Sequence, residues 1–147
     1  ASDMGITGYE SPAELDVNSD LKAHVEALRL SCGPLMNLGD VSDKSVPKMT
    51  MVSPPVNGGA FMTRSFIPHK CHETIGVFAA ISAATAALLP GTPLAELATI
   101  TGGQRQTIDV EHPGGATACV LECDDNGQVA RAGMLRTARK LFDGKIF

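Results

Sequence analysis

Apolar and polar positions change their period several times along the chain, and each change marks an element. Ser11-Pro12-Ala13-Glu14 opens the first. A capping serine, a proline at the first helical position and a glutamate three residues on together form a capping box. From Asn18 or Ser19 the pattern becomes helical. Leu21, Val25, Leu28 and Cys32 recur at helical spacing over a main helix from Asp20 to about Ser31, and Gly33-Pro34 is expected to stop it. Leu35 to Lys48 is a polar loop with Gly39. The period then shortens to two. "MTMVSPP" reads as a short strand ended by prolines, Asn57-Gly58-Gly59 as a hairpin-type turn, and "AFMTRSFI" as the returning strand. Its alternation puts Ala60, Met62, Arg64 and Phe66 on one face and Phe61, Thr63, Ser65 and Ile67 on the other.

Pro68 ends that strand. His69, Lys70, Cys71 and His72 follow in a row, and a smooth run of small and apolar residues, Ile75 to Leu89, comes after them. The run predicts a helix buried on nearly all sides by antiparallel strands. Pro90-Gly91 closes it, and Pro93 to Leu97 forms a second short helix. Beyond Gly102-Gly103 come three strands, "QTIDVEH", "ATACVLEC" and "VARAGMLRTARKLF", with turns at Pro113-Gly114-Gly115 and Asp124-Asp125-Asn126-Gly127. The fold class is α+β: antiparallel strands around one central buried helix.

Composition narrows this picture. The 147 residues suit a single domain, residues 1–147. Aromatic residues are 4% and Trp is absent, so Ala, Val, Ile, Leu and Met must build the core. The net charge of -4 comes with no basic block, which argues against nucleic acid as a partner. Gly76, Ser82 and Thr85 interrupt the longest apolar run, which falls short of the ~20 residues that span a bilayer. That helix is therefore expected inside the protein, with no membrane partner. Four cysteines form no CxxC pair and read as reduced thiols of a cytoplasmic protein. With the histidines they also lack the paired spacings of a zinc site. No signal peptide opens the chain, and "ASDMGITGYESP" reads like the tail of a loop, so a fragment of something longer is expected.

The candidate chemistry lies between Arg64 and Thr74. A helix starting just after Pro68 would aim its unpaired N–H groups, and the positive end of its dipole, at whatever lies before it. His69, Lys70, Cys71 and His72 would stand at that mouth, with Arg64 on the strand leading in. Such a place suits a di- or tricarboxylate, because arginine grips carboxylates with two hydrogen bonds. Each residue taken singly has a plainer reading: a capping or solvated histidine, a solvated lysine, a cysteine that is a small hydrophobe or a reactive thiol. His112-Pro113-Gly114-Gly115 reads as a tight turn or a place where backbone approaches a ligand. Arg139 and Lys140, with Arg136 nearby, read as a solvated strand face.

Taken in order, "GYESPAEL", "GPLMNLGDVSDKSVPK", "RSFIPHKCHETIGV", "VEHPGG" and "AGMLRTARKLFDG" resemble the carboxy-terminal half of 4-oxalomesaconate tautomerases. That family includes the methylitaconate and methylaconitate isomerases. The resemblance implies a diaminopimelate-epimerase-like half, its strands curled as a barrel around a central helix, facing a second half across an active-site cleft. It implies a cofactor-independent, metal-free isomerase acting on a small polycarboxylate, with Arg64, Ser65, His69, Lys70, Cys71 and His72 lining the cleft. The base and thiol that move the proton would lie in the amino-terminal half, so no catalytic residue is placed on this chain. His112-Pro-Gly-Gly departs from the family's more usual His-Pro-Ser-Gly. An epimerase using Cys71 as one of two thiols and a non-catalytic organic-acid-binding domain are the alternatives, and self-association into a homo-oligomer stays open.

Overall fold

The computed structural model describes residues 1–145. Helix α1 spans Pro12–Val17 and starts on the expected capping box. The Ser11 hydroxyl accepts from the Glu14 amide at 3.3 Å, and the Glu14 carboxylate accepts from the Ser11 amide at 2.8 Å. Helix α2 spans Ser19–Leu35, with the Asn18 side chain accepting from the Leu21 amide. It runs through Gly33-Pro34, which was expected to stop it. It also turns a different face inward. Its buried residues are Leu21, Val25, Arg29 and Gly33, whereas Leu28 is exposed and Cys32 half-buried. Position 29 is buried because its guanidinium gathers backbone carbonyls of the following loop. Position 33 is buried because only hydrogen fits there: a Cβ would lie 2.5 Å from Cγ2 of Val41.

Gly33→Ala sets two effects against each other. Alanine favours a helix interior by about 1 kcal/mol over glycine. Forcing a methyl against a short, β-branched neighbour in a packed core costs about 1–3 kcal/mol. Val41 is 1% exposed and has no free end to swing away, so the clash should win. The expected result is a lower urea midpoint, and a raised one would show that the loop yields.

The strands are β1 (Met49–Ser53), β2 (Phe61–Phe66), β3 (Cys71–His72), β4 (Arg105–His112), β5 (Gly115–Cys123) and β6 (Val129–Met134). They form one sheet in the order β1-β2-β4-β5-β6, with β3 beside β2. The pairings are antiparallel except β2 with β4, which is parallel through Phe61↔Val110 and Met62↔Glu111. The all-antiparallel expectation is corrected there. The last strand stops at Met134 instead of reaching Phe142. Beyond it residues 135–145 are exposed and Arg136, Arg139 and Lys140 lie outside any strand.

Helix α3 spans Val77–Ala86, shorter than the expected Ile75 to Leu89, and α4 spans Pro93–Leu97. Helix α3 is not surrounded. Ala80 and Ala84 are buried against the sheet, while Phe78, on its outer side, is 85% exposed. Six strands in an open sheet cover one side of a helix, not all of it. The alternation of β2 creates two cores. Phe61 joins Ala80, Ala84, Ile108, Val110, Cys119 and Leu121 on the α3 side. Phe66 joins Leu15, Leu21, Val25 and Cys71 on the α1–α2 side. Among the described residues no helix is long and apolar enough to cross a membrane.

One buried carboxylate ties the β1–β2 connection to the sheet. Glu111 is 1% exposed and accepts from the amides of Val56 (2.9 Å), Asn57 (2.8 Å) and Gly59 (2.7 Å). Burial pushes its pKa up, but these three donors outweigh it and hold the carboxyl below the ordinary 4.5. A depressed folded-state pKa stabilises above the unfolded value and is lost as pH falls through the folded one. This contribution should therefore be complete above about 4.5 and fade below it. Glu111→Ala should cost about 3 kcal/mol at neutral pH, since hydrogen bonds to a charged group are worth roughly 1.5–3 kcal/mol and three amides lose their acceptor. The gap between variant and parent should narrow in acid; a gap independent of pH down to the acid transition would overturn this account.

Candidate functional site

The period of two that builds β2 and β3 also divides the residues expected at the site. Thr50 pairs with Ser65, and Ser65 with His72, so the three form one row across β1, β2 and β3. Thr50 lines a groove against α3, which places the row on the α3 side. The Thr50 and Ser65 hydroxyls are 3.0 Å apart. Phe66 pairs with Cys71, and that row packs on the α1–α2 side, as does the alternate position Arg64. His69 and Lys70 occupy the turn between the two strands, closed by the Ile67 amide on the Lys70 carbonyl at 3.0 Å.

His69 to His72 therefore do not stand at a helix mouth. Cys71 and His72 pair as a strand with β2, and α3 opens only at Val77. Arg64 is 5% exposed and donates from Nε to the Glu10 carbonyl at 2.6 Å and from Nη1 to the Thr63 carbonyl at 2.9 Å. The Cys71 amide donates to Asp16 Oδ1 at 2.8 Å, and its side chain packs with Leu15, Leu21 and Val25. Burial pushes this thiol up to about 11, against the pull of Arg64. His69 Nδ1 lies 3.5 Å from Glu26, which also pairs with Arg29.

The helix start itself holds a different set of groups. Gly76 is the N-cap of α3, and no side chain caps the amides that follow. The Lys48 ammonium lies 3.7 Å from the point where a Cβ on Gly76 would stand. Lys48 sits two residues before Thr50, at the entrance to β1, and lines the same groove. A cation beside an uncapped helix start gives a volume that favours a carboxylate.

The segment leading into α3 is pinned by the β4–β5 turn. The Gly114 amide donates to the Glu73 carbonyl at 2.7 Å, and His112 Nδ1 lies 3.1 Å from the same oxygen. A carbonyl only accepts, so Nδ1 carries the proton and Nε2 takes the Thr117 hydroxyl at 3.2 Å. Burial pushes the His112 pKa down, more than the Glu73 bond raises it, which favours this neutral ring. A Cβ at Gly114 would already stand 3.0 Å from the Glu73 carbonyl. The turn reading of His112 to Gly115 thus has its reason in this close approach. Sequence reasoning missed Lys48, and nothing in its neighbours marks it out. Gly76 did carry a signal, since glycine is an accepted N-cap.

The α+β arrangement has a counterpart among solved structures. The crystal structure of a methylitaconate-delta-isomerase superposes with a TM-score of 0.80 at 25% identity, over 98% of this chain and 42% of that one. The chain belongs to the PrpF family, whose model, described as PrpF protein, matches residues 1–147. It is 59% identical over 147 residues to the (4E)-oxalomesaconate Delta-isomerase of Novosphingobium sp. (strain KA1), across 100% of this chain and 41% of that protein. It is 51% identical over 146 residues to the 4-oxalomesaconate tautomerase of Pseudomonas putida, across 99% of this chain and 40% of that protein. The chain thus spans about two fifths of the length of the curated relatives it matches.

Proposed function

We propose that this chain is the carboxy-terminal domain of a two-domain, cofactor-independent isomerase that shifts a proton and a double bond in a small unsaturated polycarboxylate, 4-oxalomesaconate above all. The observation that carries the reading is the uncapped start of α3 with Lys48 beside it, in a chain 59% identical to an oxalomesaconate isomerase. Moving a proton next to a carbonyl needs a base and a group that stabilises the enolate. This half supplies the second. The α3 amides and Lys48 hold a substrate carboxylate and damp developing charge. Ser65 and His72 form the polar wall on the same side, His69 and Lys70 its rim, and Arg64 and Cys71 support that wall from behind. The base comes from the other domain. A buried Cys71 thiol on the far face does not favour the epimerase alternative. The four free cysteines suit a cytoplasmic protein.

The experiment is turnover of 4-oxalomesaconate by the purified 147-residue chain and by a polypeptide of the relatives' length. Activity is expected only in the longer one. Robust turnover by the short chain would place the base on this half and overturn the division of labour.

A further inference from the structure

The segment that enters α3 is held from two directions. On one side Ile75 is buried in the α3-side core. On the other, the Glu73 carbonyl lies in a fork of two donors, the Gly114 amide at 2.7 Å and His112 Nδ1 at 3.1 Å. Both donors come from the end of β4 and the turn after it. Glu73 and Thr74 themselves are exposed and belong to no strand or helix, so this fork fixes a stretch that has no ladder of its own.

Glu73 precedes Gly76, whose extended backbone (φ −71°, ψ 153°) turns the chain into the helix. The first helical bond runs from the Ala80 amide to the Gly76 carbonyl at 2.9 Å. The amides of Val77, Phe78 and Ala79 come before it and have no partner within the helix. Where they point depends on where the Glu73 peptide is held. The His112 ring is buried and is itself fixed at both ends, because the Thr117 hydroxyl occupies Nε2 at 3.2 Å. Neither ring nitrogen is left to exchange a proton with a substrate.

We propose that His112 is a positioning residue of the isomerase: with the Gly114 amide it fixes the Glu73 carbonyl, and through it the aim of the α3 amides at a substrate carboxylate. The inference rests on the functional reading above. Its test compares variants, in a polypeptide of the relatives' length, that differ in which atom donates. Asparagine places an amide nitrogen where imidazole has Nδ1, glutamine places one near Nε2, and leucine supplies neither. His112→Leu and His112→Gln should lower kcat/KM for 4-oxalomesaconate by about tenfold or more, since a misplacement of about 1 Å can cost on the order of 100-fold. His112→Asn should recover most of the loss, and Thr117→Val, which leaves the Glu73 bond in place, should stay near the parent. A merely structural histidine would shift the melting temperatures without this order in kcat/KM. Parent-like kcat/KM in both His112→Leu and His112→Gln, or a His112→Asn enzyme as slow as those two, overturns the proposal. A second measurement needs no reaction. The backbone amide chemical shifts of Val77 and Phe78 in the substrate-free longer protein should move in His112→Gln and return in His112→Asn, and unmoved shifts overturn the proposal. A parent without turnover of 4-oxalomesaconate sinks the functional reading instead, and the shifts still decide whether His112 aims the helix start.

Discussion

Arg29→Met is expected to lower the melting temperature by on the order of 10 °C or more, or to leave no cooperative transition at all. Methionine matches the length and apolar stem of arginine, so the loss is one of donors and charge. The side chain is fully buried, and every part of its head is engaged. Nη1 donates to the carbonyls of Val41 (2.9 Å), Lys44 (2.9 Å) and Val46 (2.7 Å). Nε and Nη2 grip the Glu26 carboxylate at 2.7 and 2.8 Å. The hydrogen bonds to Arg29 hold the Glu26 carboxyl below its ordinary range, outweighing the effect of burial. Removing the guanidinium leaves three carbonyls without their donor and one carboxylate without its partner, and broken buried networks of this kind give the largest single-site effects. Arg29→Lys should fall nearly as far, because one ammonium cannot reproduce a planar fork that reaches five oxygens. Thermal unfolding followed by circular dichroism checks both. A transition within a few degrees of the parent would show that the loop holds itself. The consequence extends to the site, since the same loop leads to Lys48 and lines the groove.

Arg29 also shows what sequence reading misses. A search for helical periodicity counts apolar residues, and it selected Leu28 and Cys32 where the structure buries Arg29 and Gly33. The spacing of four from Leu21 and Val25 continues correctly into both, but an arginine and a glycine carry no hydrophobic signal. Local chemistry was legible wherever a rule acts over a few residues. The capping box of α1, the short helix α4, the alternation of β2 and the tight turn after β4 all follow from neighbours in sequence. The fold class was legible for the same reason, and the resemblance to the family was carried by motifs in order. What failed depends on partners far along the chain. The parallel contact of β2 with β4 joins residues 61 and 110. The two-residue strand Cys71–His72 exists only because Ser65 and Phe66 are there to pair with it. Missing that strand moved the helix start forward from Val77 and merged two faces of the sheet into one imagined cluster. Within the site, Ser65 and His72 do share a face, whereas Arg64 and Cys71 lie behind them.

That separation yields the sharpest functional expectation, which is that Lys48→Ala in the longer enzyme lowers kcat/KM for a polycarboxylate substrate by tenfold or more. The ammonium lies beside the uncapped start of α3, where amide dipoles and a full positive charge act on the same small volume. A charge-assisted hydrogen bond to a carboxylate is worth roughly 1.5–3 kcal/mol, and about 1.4 kcal/mol is a factor of ten. Because Lys48 is exposed, part of that value is screened here, and the loss should shrink further as ionic strength rises. The effect should fall on kcat as well as KM, since a cation that damps developing charge is worth more in the transition state than in the ground state. Lys48→Arg should retain much of the activity. Arg64→Ala makes the informative contrast. Its guanidinium is buried and bound to the Glu10 and Thr63 carbonyls, so its removal should lower the melting temperature before it changes KM. Steady-state kinetics at two salt concentrations, paired with thermal unfolding of each variant, separate the roles. A Lys48→Ala enzyme with unchanged kcat/KM, beside an Arg64→Ala enzyme that folds normally and fails to bind substrate, would reverse the assignment and put the carboxylate on the α1–α2 side of the sheet.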